Sequence, residues 1–88
     1  MMNDIKNWTE VTRGIYRYAV SPGVCYEIHI NYWDHMPELK TANATLFIAG
    51  DWRDESNVRF FSRELLLNSE PVSKCVEFAV MDNKENHS

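Results

Sequence analysis

The sequence predicts an α+β fold: a four-stranded antiparallel β-meander followed by a C-terminal amphipathic helix packed on one face, in the order β-β-β-β-α. Three observations carry this expectation. Val24, Tyr26, Ile28, Ile30 and Tyr32 alternate with Cys25, Glu27, His29 and Asn31, the period-two signature of a strand with one dry and one wet face. Ser21-Pro22-Gly23 separates that run from a second β-rich run over 15–20, as Pro and Gly do in a tight turn. Near the C-terminus, Val72, Cys75, Val76, Ala79 and Val80 recur at helical spacing, with Ser73, Lys74 and Glu77 opposite.

The remaining elements follow in order. Residues 1–12 form an N-terminal segment in which Asn7 and Glu10 have the spacing of a capped helical turn. Such a turn would put Trp8 and Val11 on one side. The strands over 15–20 and 24–32 make a hairpin. Residues 34–40 are polar, contain Pro37 and read as a loop. Alternation resumes over 41–49, with Ala42, Ala44, Leu46 and Ile48 on one face and Asn43, Thr45 and Phe47 on the other. Gly50 ends that strand, and 51–57 read as a second polar loop. Residues 58–67 have two readings. Phe60 and Phe61 favour a strand, Arg-Glu-Leu-Leu-Leu favours a helix, and the strand is the one adopted. Ser69 caps a helix over 69–82, with Glu70 and Pro71 in its first turn, and 83–88 read as a frayed polar tail. The whole of 1–88 is expected to be a single domain, with its sheet within 14–67. Tyr26, Ile28, Ile30, Leu46 and Ile48 should meet Val72, Val76, Ala79 and Val80 in a two-layer core.

Composition narrows the classes of function. Leu, Ile, Val and Phe make up 21 of the 88 residues, enough for a folded core in a chain of this size. The net charge of −4 and the dispersed Lys and Arg argue against nucleic acid, whose phosphates demand clustered cations. No run approaches the roughly 18 apolar residues that span a bilayer, and the first residues lack the basic and apolar parts of a secretory signal. Cys25 and Cys75 stand alone rather than in a dense framework, which fits buried thiols in a reducing, cytoplasmic setting.

No Gly-rich phosphate loop, Gly-x-Ser-x-Gly elbow or Cys-x-x-Cys pair is present. Cys25 and His29 share a face but stand about 13 Å apart along an extended strand, too far for a nucleophile and its base. No catalytic residue and no cofactor are therefore expected. Glu27 and His29 share the wet face of one strand, and Asp34 and His35 follow it. Together they have the donor chemistry of a metal or small-ligand site, although no recognised ligand spacing supports it. Aromatic residues exceed what one small core needs. Trp33, Phe47 and Trp52, with Arg59 as a polar contact, are the candidate anchors of a protein interface, where Trp, Tyr and Arg concentrate binding energy. The expectation is a non-enzymatic interaction module that binds a protein partner, or a second copy as a homodimer, through an aromatic sheet face or an edge. A small-ligand or metal-binding domain is the alternative. Stacking of single-stranded nucleic acid lacks its cations, and acidic mimicry of nucleic acid needs a denser negative face.

Overall fold

A computed structural model of the chain describes residues 2–21, 23–32, 41–48, 51–59 and 63–86. In chain order these form a 3-10 turn (Ile5–Asn7), strands β1 (Thr9–Thr12), β2 (Ile15–Ser21), β3 (Val24–Tyr32), β4 (Thr41–Ile48) and β5 (Asp51–Arg59), and helices α1 (Arg63–Leu67) and α2 (Glu70–Asn86). The strands make one antiparallel sheet in the order β1-β2-β3-β4-β5. α2 lies against β3, β4 and β5. The α+β class, the antiparallel meander and the C-terminal helix on one face are as the sequence predicts.

The two faces follow from alternation. On β3, Tyr26, Ile28 and Ile30 are buried, while Cys25, Glu27 and His29 are half-buried and Asn31 is exposed. β4 repeats the pattern, with Ala44 and Leu46 buried and Asn43, Thr45 and Phe47 half-buried. Val72, Cys75, Val76 and Ala79 of α2 complete the core, and Ile48 and Val80 pack at its margin. Neither cysteine is in a disulfide among the described residues. Cys25 is on the outer face and Cys75 in the inner layer, so the sheet itself separates them.

Several sequence expectations are corrected. The N-terminal helical turn is Ile5–Asn7, where Asp4 Oδ1 accepts from the Lys6 N–H at 2.9 Å, and not a turn begun by Asn7. Trp8 leaves that turn for the core, and Val11 stands exposed on β1. The reason is competition between elements: once Trp8 is buried against Tyr18, at 5.7 Å between ring centroids, the following residues continue as an edge strand. The indole Nε1 donates to the Met2 carbonyl at 2.7 Å. The N-terminal segment thus covers the β2 end of the inner face, beyond the elements α2 lies against.

Residues 51–57 belong to strand β5 and not to a loop. Their polarity is that of an edge strand, which borders one neighbour and tolerates charge. Residues 58–67 are not a strand throughout. β5 ends at Arg59, and Arg63–Leu67 is helix α1, built from strong helix formers that insert Leu66 into the core at 1% exposure. Phe60 and Phe61 lie outside the described residues, as do Pro22, Gly50 and the expected loop at 34–40.

Ser69 stands at the α2 N-cap as expected, its carbonyl accepting from the Ser73 N–H at 3.0 Å. Its hydroxyl donates back to the Leu66 carbonyl at 2.5 Å and so ties α1 to α2. The helix runs to Asn86, beyond the expected end at 82. Two features extend it: Lys84 complements the C-terminal end of the helix dipole, and Asp82 is anchored to the sheet. Tyr26 is fully buried, and its hydroxyl donates to Asp82 Oδ2 at 2.6 Å. Burial, then the bond to Asp82, holds this phenol well above its ordinary pKa.

Tyr26→Phe deletes that hydrogen bond while keeping the ring, and is expected to lower unfolding stability by about 1–2 kcal/mol in urea titration. Trp8→Ala is expected to cost about 3–5 kcal/mol, as loss of a core aromatic does. A loss below about 1 kcal/mol for Trp8→Ala would show that the N-terminal segment is not part of the core.

Candidate interaction face

The face of the sheet turned away from α2 collects the polar half of each alternating strand. Register decides which residues stand opposite one another there. Arg17 of β2 stands opposite Glu27 of β3, Glu27 opposite Phe47 of β4, and Phe47 opposite Trp52 of β5. The neighbouring row runs Ile15, His29, Thr45 and Asp54. Residues directly opposite in an antiparallel ladder share a face and interact in pairs.

Glu27 is the hub. Arg17 Nε donates to Glu27 Oε2 at 2.7 Å, with Nη2 on the same oxygen. His29 Nε2 lies 2.9 Å from the other oxygen, Oε1. The His29 ring in turn lies against Phe47, with centroids 4.4 Å apart and planes tilted by 49°. Four residues from three strands therefore form one contiguous cluster. The hydrogen bond from His29, followed by that from Arg17, holds the Glu27 carboxyl below the usual carboxylate range. Beside it, desolvation pushes the Cys25 thiol up, against the opposing influence of Arg17.

Chemically, the Glu27 carboxylate is neutralised within the cluster by Arg17 and hydrogen-bonded by His29. The surface presents a guanidinium, an imidazole and an aromatic ring rather than a bare carboxylate. That combination suits recognition of a folded surface, where Arg and aromatic groups serve as anchors. Among the described residues no three His, Cys, Asp or Glu side chains are grouped to hold a metal ion. A cation bridging Glu27 and His29 would displace the hydrogen bond between them. No helix of the described residues is long and apolar enough to cross a membrane.

Of the sequence-derived anchors, Phe47 joins the cluster directly. Trp52 stands across from Phe47 in the ladder, while Arg59 stands across from Thr41 near the far end of β5. The side chains of Trp52 and Arg59, like the whole of Trp33, lie outside the described residues. Of the metal-ligand candidates, Glu27 and His29 come together, and Asp34 and His35 lie outside the described residues. Arg17 was missing from the sequence-derived set because no motif marks it. Arg17 meets Glu27 only because the β2–β3 register shifts between Ala19 and Ser21, an irregularity that no local pattern announces.

The chain matches no known protein family, characterised protein or solved structure in comparisons of sequence and fold.

The depressed Glu27 pKa has a defined pH signature. A carboxylate whose folded pKa lies below its unfolded value of about 4.3 contributes stability that is fully present above that value. That contribution is lost as pH falls through the lower, folded value. An NMR titration of the side-chain carboxyl should place Glu27 below an ordinary glutamate, and Arg17→Ala should move it upward. Glu27→Gln should flatten the acid limb of the stability profile below about pH 4.3; an unchanged limb would show that the cluster is not formed in solution.

Proposed function

We propose that this chain is a non-enzymatic protein-interaction module that binds another protein, or a second copy of itself, through the open face of its sheet. One observation carries the reading. The helix and the N-terminal segment cover the inner face, while the opposite face keeps a connected Arg17–Glu27–His29–Phe47 cluster at its surface. The face is favoured over the edges. β1 is four residues long, has a register shift between Glu10 and Thr12, and is exposed throughout. β5 carries Asp51, Arg53, Asp54, Glu55 and Arg59. Short, irregular or charged edges resist strand addition. The cytoplasm is the proposed setting, where the Cys25 and Cys75 thiols stay reduced.

The test is affinity capture from a lysate of the native organism with the tagged chain, alongside Phe47→Ala/Trp52→Ala. A protein retained by the wild type and lost by the double variant, with circular dichroism unchanged, is the expected result. Equal capture by both would place the interaction elsewhere. Sedimentation equilibrium of both forms distinguishes a foreign partner from self-association.

A further inference from the structure

We draw no further inference here: the strongest candidate, the groove bordered by Ile5, Val80 and Met81 between the N-terminal 3-10 turn and α2, is floored by the buried core residues Val72 and Val76, and nothing in the structure shows what covers it.

Discussion

Tyr26, Ile28 and Ile30 must all point toward α2, and most of the structure depends on that requirement. Each occupies the buried side of β3, and each has a buried or half-buried partner on β4: Ile48, Leu46 and Ala44. A slip of β3 by one residue would reverse every side chain. Glu27 and His29 would enter the core, while three apolar residues would face water. Desolvating Glu27 away from Arg17 would be heavily unfavourable, so the outer cluster reinforces the register that the inner layer sets. The Tyr26–Asp82 hydrogen bond fixes α2 against that same strand, coupling the helix position to the ladder.

The two coverings of the inner face are different in kind. α2 buries an apolar stripe, whereas the N-terminal segment contributes chiefly one large aromatic, Trp8, held by its ring contact and its bond to Met2. Where the two coverings approach each other, a groove bordered by Ile5, Val80 and Met81 remains between them. A small domain has little stability in reserve, and here part of it depends on the segment anchored by Trp8.

Much of this architecture was legible from residue periodicity. The β3 alternation, the α2 stripe and the pairing of β2 with β3 as a hairpin are local signals strong enough to stand without tertiary information. Elements whose conformation is set by neighbours were harder to read. β5 is polar because it is an edge; its extended form comes from the β4 ladder, which no local pattern records. α1 was hidden because Arg63–Leu67 follows two phenylalanines that favour a strand. β1 was masked by a plausible cap at Asn7, where the real cap, Asp4, stands three residues earlier. At the candidate face, Phe47, Glu27 and His29 were legible from parity alone. Arg17 was not, since its role comes from lying across a strand pair rather than within a motif.

The sidedness of β3 is the central claim, and the two cysteines report it directly. Cys25 lies half-buried on the open face and Cys75 is fully buried on the inner side of α2. Native-state alkylation, carried out at mildly alkaline pH because the Cys25 thiol pKa is raised, should modify Cys25 while leaving Cys75 protected until denaturant is added. Mass spectrometry of the labelled peptides reads the outcome. Selective modification of Cys25 is the expected result. Modification of Cys75 first, or of both at equal rates, would contradict the assignment of faces and the open surface built on it.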